Sequence, residues 1–417
     1  MSAPGGGDGA AQDGIHRPSG LGRVLGPGLV GGASDVDPTT VGTVSAVGAT
    51  TGYRLSWLTV LVFPLLAVVQ SISTEVGMAT GRDLEDVTAQ RFGPAWGFVL
   101  LVSVLAVNVV TIAADLEAGA AALGLLTGGA WQWFVVPLAL ALLAVLLVGS
   151  FDEVERVLRA VLVGLFAYAG AAVLARPHWD DVLRHTVVPS LSLSSTGLAD
   201  ALAIVGTTLT SYAYVWQTVA YARRVDHDMR RARTDAVAGS FFATTVMWFI
   251  LIATGATLGA HHHAINTAEE AAEALRPLAG PAAATIFGVG LFASAVLALP
   301  VLMITTAHVV GSEFNWRVGI TSGVPHAARF YGAMAAAVAL AAGIALGGVA
   351  PIRILYIASI AGGLATPVSL VFLLVVAGDA RAMDGQPITR RLAVAGWVVT
   401  TVVSLTGLAF LATQLAR

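Results

Sequence analysis

Residues 24–52 read VLGPGLVGGASDVDPTTVGTVSAVGATTG, an apolar stretch that two acids and a proline interrupt in its middle. Pro38 has no amide hydrogen and cannot continue a helix, whereas Asp37 is a good helix N-cap and proline suits the first helical position. The sequence therefore predicts a helix that begins afresh at Pro38, halfway along a segment of membrane-spanning length. The carbonyl groups freed upstream, from about Gly32 to Val36, need partners that lipid cannot supply, so this backbone should line a cavity inside the protein.

The rest of the chain has the composition of a helical membrane protein. Of its 417 residues, 56% are apolar and 11% are charged, and the mean hydropathy is +0.80. An ordinary soluble domain carries about 25% charged residues, so this composition excludes a soluble enzyme. Apolar runs recur from about residue 24 to residue 414, which leaves room for about 11 helical spans of roughly 20 residues each.

The spans and their connections predict the following division of the chain. Residues 1–22 are rich in glycine and serine, lack an apolar run and are predicted to form a disordered cytoplasmic tail rather than a signal peptide. Residues 23–417 form one membrane domain. Its predicted spans are 24–50, 54–77, 95–125, 131–150, 154–175, 197–222, 235–259, 281–310, 328–349, 351–377 and 391–414, so that spans 1–5 cover about 24–175, spans 6–10 about 197–377, and span 11 about 391–414.

The distribution of arginine predicts the orientation in the membrane. The chain contains 22 arginines and no lysine. If the N-terminus is cytoplasmic, 16 of these arginines lie in inner connections and 6 in outer ones, as the positive-inside rule requires. We therefore expect a multi-pass protein of the cell membrane with its N-terminus inside and its C-terminus outside.

Enzyme and cofactor motifs are missing from the sequence. Without cysteine there is no thiolate ligand or nucleophile, and the sequence contains no phosphate-binding loop with a lysine, no HExxH and no GxSxG. We expect no enzymatic activity, no cofactor and no nucleic-acid partner. The oligomeric state is left open.

The sixth predicted span carries a second irregular stretch, AIVGTTLTSYAYVWQT at 203–218, which concentrates polar residues in an apolar segment. Taken alone, such residues are common at tight contacts between membrane helices. Spans 1 and 6 occupy matching positions, however, if the chain consists of two five-span halves of opposite orientation, and paired interrupted spans mark the central site of a transporter.

The acids of the first span have two interpretations each. Asp37 could be only a helix cap, but an aspartate in the bilayer interior is costly and usually marks an ion path or relay. Asp35 could be a supporting carboxylate or a residue at the mouth of the site.

Two features outside the first span also have two interpretations each. Glu75 could serve an exit path or form an interfacial salt bridge. His261-His262-His263 could capture metal, although a solvated loop is the simpler interpretation.

These segments resemble the Nramp (natural resistance-associated macrophage protein) family of divalent-metal transporters. The run GPGLVGGASDVDPTTVGTVSAVGATTGYRLSW and then LLAVVQSISTEVGMATGRDL are similar to its first two spans, and ADLEAGAAALGLL, GTTLTSYAYVWQ, LALPVLMITTAHVVGSEFNW and PIRILYIASIAGGLATPVSL resemble spans 3, 6, 8 and 10. The resemblance implies an all-α fold with a LeuT-type 5+5 inverted repeat and broken spans 1 and 6. It also implies inward transport of a divalent metal, often coupled to protons.

The family's site residues carry over only in part. Its first-span motif Asp-Pro-Gly-Asn stands here as Asp37-Pro38-Thr39-Thr40, and its sixth-span Ala-x-x-Met-Pro-His aligns with residues 207–212. The methionine thus becomes Thr210 and the two histidines become Tyr212 and Gln217. In the third span Asp115 keeps an acid of the family's proton route, while its companion falls at Ala118, with Glu117 one position earlier.

The departures favour a hard cation. Oxygen ligands suit Mg²⁺, Ca²⁺ and Mn²⁺, whereas a thioether favours softer ions. We predict Mn²⁺ or Mg²⁺ as the cargo, and the lost histidines put proton coupling in doubt. The alternatives are an amino-acid or organic-cation carrier on the same fold and a membrane sensor that binds metal without moving it. The predicted metal ligands are Asp37, Thr40, Thr207 and Thr210, and the predicted proton-route or supporting residues are Asp35, Asp115, Glu117, Tyr212 and Gln217.

Overall fold

The structure is a computed structural model. It describes residues 32, 35–148, 168–170, 172–222, 228–259, 265–273, 276, 280–314, 316 and 327–415. The predicted N-terminal tail, most of the fifth predicted span and the His261–His263 stretch lie outside the described residues.

The described residues fold into helices joined by short connections. In chain order they are α1 (Pro38–Thr51), α2 (Ser56–Thr80), α3 (Leu84–Phe92), α4 (Pro94–Thr127), α5 (Gln132–Val148), α6 (Trp179–Val187), α7 (Ser195–Thr208), α8 (Ser211–Ala222), α9 (Met229–Thr257), α10 (Ala268–Glu273), α11 (Ala283–Glu313), α12 (Ala328–Ala345), α13 (Pro351–Gly378) and α14 (Arg390–Leu415).

The all-helical prediction is confirmed. Within the described residues, eight helices are long and apolar enough to cross a membrane when α7 and α8 are counted together, and α5 is apolar but shorter. They coincide with predicted spans 2–4 and 6–11 to within a few residues. Helix α1 supplies the half of the first span that follows Pro38.

The helix start predicted at Pro38 and the second predicted break are present, while residues 24–31, 33 and 34, in the first half of the first predicted span, lie outside the described residues. Helix α1 begins at Pro38 with Asp37 as its N-cap. In the sixth span, α7 ends at Thr208 and α8 begins at Ser211, so the chain leaves the helix at Leu209 and Thr210. The break is stabilised from outside, because the Thr366 hydroxyl on α13 donates to the Leu209 carbonyl at 2.7 Å.

The broken helices lie at the centre of the molecule. In the most apolar stretch of α7–α8, 94% of residues are buried, compared with 33% in α14. A lipid-facing helix leaves one side uncovered by protein, so α14 is peripheral and α7–α8 is enclosed. Most of α1 is buried as well.

Long unbroken helices surround this centre. Helix α11 packs along α4, α9 packs along α2 and α1, and α13 packs along α7 and α4. Helices α7 and α13 approach backbone to backbone at Gly206, where a Cβ atom would collide with the Ser359 carbonyl oxygen. This close contact fixes α7 against α13 next to the second break.

Candidate metal centre

The carboxylate of Asp37 lies fully buried between the two breaks. As N-cap of α1, its Oδ1 accepts a hydrogen bond from the Thr40 amide at 2.6 Å. Its Oδ2 accepts one from the Tyr212 hydroxyl in the first turn of α8, at 3.0 Å. Among the described residues, Asp37 has no ion-pair partner. The charge is therefore held by neutral donors and by the positive end of the α1 dipole.

Two threonine hydroxyls join the breaks beside this carboxylate. The Thr40 hydroxyl donates to the Asp35 carbonyl at 2.8 Å. The Oγ1 atoms of Thr40 and Thr207 are 3.0 Å apart and share a hydrogen bond. Asp37, Thr40 and Thr207, three of the four predicted ligands, are thus brought together.

Asp115 holds the start of α1 from the side of α4. Its Oδ1 accepts from the Thr39 amide at 3.1 Å and from the Thr39 hydroxyl at 2.6 Å. Two carboxylates, those of Asp37 and Asp115, therefore share the N-terminus of one half-helix. This geometry gives Asp115 an anchoring role.

The remaining predicted residues are less closely connected to this cluster. Asp35 is buried rather than exposed at a mouth, and its Oδ2 accepts from Gln70 at 3.4 Å. Thr210 lies at the second break, two residues before Tyr212, and is buried. Its hydroxyl has no hydrogen-bond partner among the described residues. Gln217 donates instead to Thr74 on α2 at 3.1 Å.

Glu117 stands apart from the other acids. It is fully buried in α4, and neither of its carboxylate oxygens finds a hydrogen-bond partner in the described part of the chain. The structure therefore does not connect Glu117 to Asp37 by hydrogen bonds.

Several polar residues that complete the site were not among the predicted ones. Ser294 on α11 donates to the Val36 carbonyl, Thr366 to the Leu209 carbonyl, and Gln70 to Asp35. Each is a neutral polar side chain in one of the long apolar helices. That signal is present in the sequence, but many such residues only bond to their own helix, as Ser71 does to Ala67.

An open cavity of the molecule is lined by residues other than Asp37, Thr40 and Thr207. A cavity of about 460 Å³ lies at the C-terminal end of α1, where Thr50, Arg54, Arg353, Asp200 and Tyr356 contribute to its lining. Within it the Tyr356 hydroxyl on α13 donates to Asp200 on α7 at 2.7 Å. This bond links α13 to α7.

A salt bridge links α2 and α9. Glu75 on α2 pairs with Arg233 on α9 at 2.7 Å, which agrees with the salt-bridge interpretation of Glu75. In the described ranges, no group of three or more histidine, aspartate or glutamate side chains is placed to hold a metal ion together. A cation in the central site would therefore have at most two acidic or histidine side chains of the described residues among its ligands.

Two broken helices at the centre of a helical bundle, with a buried carboxylate between them, define a multi-pass membrane protein of the LeuT-type fold. The sequence model described as "Natural resistance-associated macrophage protein-like" matches residues 28–413. The chain therefore belongs to the Nramp family.

Curated relatives match over a shorter length. A divalent metal cation transporter MntH of Listeria monocytogenes is 28% identical over 284 residues, which are 65% of this chain and 63% of that protein. MntH of Acidiphilium cryptum is 29% identical over 284 residues, 65% of this chain and 65% of that protein. The match thus spans somewhat less than two thirds of these relatives.

Solved structures share the fold over nearly the whole chain. A manganese transporter of Eremococcus coleocola superposes with a TM-score of 0.78 at 20% identity, covering 94% of this chain and 88% of that one. MhsT, solved with L-phenylalanine, gives a TM-score of 0.62 at 14% identity over 94% of this chain and 98% of its own. The LeuT-type fold predicted from the resemblance is confirmed.

Proposed function

We propose that the protein is a secondary transporter that moves a divalent metal cation across the cell membrane by alternating access, with Mn²⁺ or Mg²⁺ as the favoured cargo. The observation that carries this proposal is the buried Asp37 carboxylate, which two neutral donors hold and no basic side chain of the described residues neutralises. A buried charge without a counter-charge attracts a cation.

The oxygen atoms around Asp37 support a hard cation. Thr40 and Thr207 place two hydroxyl oxygens 3.0 Å apart next to the carboxylate, and Thr210 adds a third hydroxyl at the second break. One carboxylate among hydroxyls suits a partly hydrated ion, because Mg²⁺ sheds its water reluctantly and Mn²⁺ accepts oxygen ligands. In this proposal the ion is cargo, and the protein uses no cofactor and has no enzymatic activity.

The same geometry disfavours an amino-acid carrier. In transporters with broken helices, half-helix N-termini point at anionic groups of the substrate. Here the N-terminus of α1 already binds two carboxylates of the protein, those of Asp37 and Asp115. The carboxylate of an amino acid would meet two like charges there. The organic-cation carrier and the non-transporting sensor remain as outcomes of the test.

Topology and partners complete the proposal. Arg233 lies near the N-terminal end of α9, in the arginine-rich stretch at 221–233. The positive-inside rule places this stretch in the cytoplasm. We propose an N-terminus inside, a C-terminus outside, residues 23–417 as one transport domain preceded by a cytoplasmic tail, and the lipid bilayer and the cation as partners, with no nucleic acid.

A metal panel in proteoliposomes tests the proposal. The purified protein is reconstituted, and entry of Mn²⁺, Mg²⁺, Ca²⁺, Fe²⁺ and Cd²⁺ is followed, with protein-free liposomes as the control. We expect saturable Mn²⁺ or Mg²⁺ entry that amino acids do not inhibit. Metal binding without entry would show a sensor, and entry of an organic cation without metal entry would show the other carrier.

A further inference from the structure

A carrier must stabilise its site carboxylate in two different situations. When cation is bound, the cation itself balances the charge. When the carrier returns without cargo, the buried carboxylate is costly unless hydrogen bonds compensate it. Net uptake includes this return step, whereas exchange of external for internal cation lets the carrier move only when loaded.

The contacts of Asp37 show how this chain can compensate the charge with its own groups. The Thr40 amide donates to one carboxylate oxygen at 2.6 Å and the Tyr212 hydroxyl to the other at 3.0 Å. Asp37 and Tyr212 are both fully buried, and hydrogen bonds to a charged group in such surroundings are stronger than exposed ones. Each carboxylate oxygen thus accepts a hydrogen bond from a neutral donor, and neither bond requires a proton to be taken up from solution.

The Tyr212 bond also crosses between the two breaks. Asp37 ends the first break and Tyr212 lies in the first turn after the second, 175 residues further along the chain. Tyr214, two residues later, points elsewhere, because its hydroxyl bonds to Ser369 on α13. The contact with Asp37 therefore depends on the exact position of Tyr212 on α8.

We propose that Tyr212 is a positioning residue that stabilises the Asp37 carboxylate during the return of the unloaded carrier. Its hydroxyl takes the place of a co-transported proton, so the cycle closes with the cation alone. This inference rests on the proposed function and adds to it how the site returns without cargo.

Net uptake and exchange measured on the same vesicles test the inference. In Tyr212→Phe, which removes only the hydroxyl, we expect net Mn²⁺ uptake into metal-free vesicles to fall about tenfold more than Mn²⁺ exchange does. A tenfold loss corresponds to ~1.4 kcal/mol, a plausible size for one lost hydrogen bond to a charged group. Retained exchange also shows that the variant is folded.

Tyr214→Phe is the matched control, since it removes a buried tyrosine hydroxyl that does not touch Asp37. Its ratio of net uptake to exchange should equal that of the unmodified protein. Equal losses of uptake and exchange in Tyr212→Phe, or no loss of either, would overturn the inference while leaving the proposed function intact. Failure of the unmodified protein to move metal in either assay would overturn the proposed function and the inference with it.

Discussion

The two helix breaks differ in how they satisfy the backbone that they expose. At the first break, the acids Asp37 and Asp115 accept from the amides of α1. At the second break, the Leu209 carbonyl is satisfied by a neutral hydroxyl from Thr366, and no acid lies in the sequence from Leu209 to Gln217. The charge of the site therefore belongs to one break, and the other supplies only neutral groups.

This asymmetry assigns different roles to the two breaks. The break that carries the charge should decide whether a divalent cation binds at all, because a buried cation depends on a counter-charge. The neutral break should decide which cation is preferred and how well the interruption is held. Substitutions at the first break are then expected to abolish transport, and substitutions at the second to adjust it.

The largest effect is expected for Asp37→Ala. Asp37 supplies a carboxylate that contacts both breaks, so Mn²⁺ flux should fall by about 100-fold or more, while folding is nearly preserved because a buried charge is removed rather than created. Asp37→Asn tests the same point with less change in shape. Asp379→Asn, which alters an acid in the connection after α13, is the control, and undiminished flux in both Asp37 variants would place the cation elsewhere.

A smaller effect is expected at the second break for Thr366→Val, which keeps the side-chain shape and removes the donor to the Leu209 carbonyl. Leaving a buried carbonyl unsatisfied costs about 1–3 kcal/mol, so the thermal unfolding midpoint in detergent should fall. Thr406→Val is the control, since the Thr406 hydroxyl bonds only to the Val402 carbonyl of its own helix. Equal midpoints for the two variants would show that Thr366 does not support the break.

A change of preference without loss of activity is expected for Thr210→Met. A thioether at the second break should favour soft Cd²⁺ over Mn²⁺, by about tenfold or ~1.4 kcal/mol. Competition of Cd²⁺ against Mn²⁺ in the flux assay measures the ratio, with total Mn²⁺ flux as the internal control. An unchanged ratio in an active variant would mean that Thr210 does not face the ion.

The smallest signal is expected for protons. With Tyr212 and Gln217 at the positions of the family's histidines, metal entry should proceed without measurable acidification of the vesicle lumen, as followed by a trapped pH dye. Asp115→Asn should therefore change no proton signal, whatever it does to flux through its bonds to Thr39. Acidification in step with metal entry that disappears in Asp115→Asn would contradict this expectation.

The sequence predicted those features that depend on local chemistry. Pro38 cannot continue a helix and Asp37 caps one, so the first break and its charge could be located from neighbouring residues alone. The long apolar runs likewise predicted the bounds of the spans to within a few residues, because hydropathy is also read from neighbouring residues. The second break has no proline, and its prediction required the symmetry of two inverted halves.

The cross-chain contacts could not be predicted in this way. Asp115 and Thr39 are 76 residues apart, and Tyr212 and Asp37 are 175 apart, so their pairing depends on how α1, α4 and α8 pack. Thr366 carries no local sign that it serves Leu209 rather than its own helix. Sequence therefore identified the polar residues of the site, whereas their partners followed only from the packing.

Equilibrium binding of Mn²⁺ to the purified protein tests the assignment of charge to one break most directly. Titration calorimetry on the unmodified protein, Asp37→Asn and Thr210→Val separates the charged break from the neutral one, since each variant retains the shape of the original side chain. We expect one Mn²⁺ per unmodified chain, no detectable binding to Asp37→Asn, and binding to Thr210→Val weakened by about tenfold at most, equivalent to ~1.4 kcal/mol. Unmodified affinity in Asp37→Asn, or complete loss of binding in Thr210→Val, would contradict this assignment.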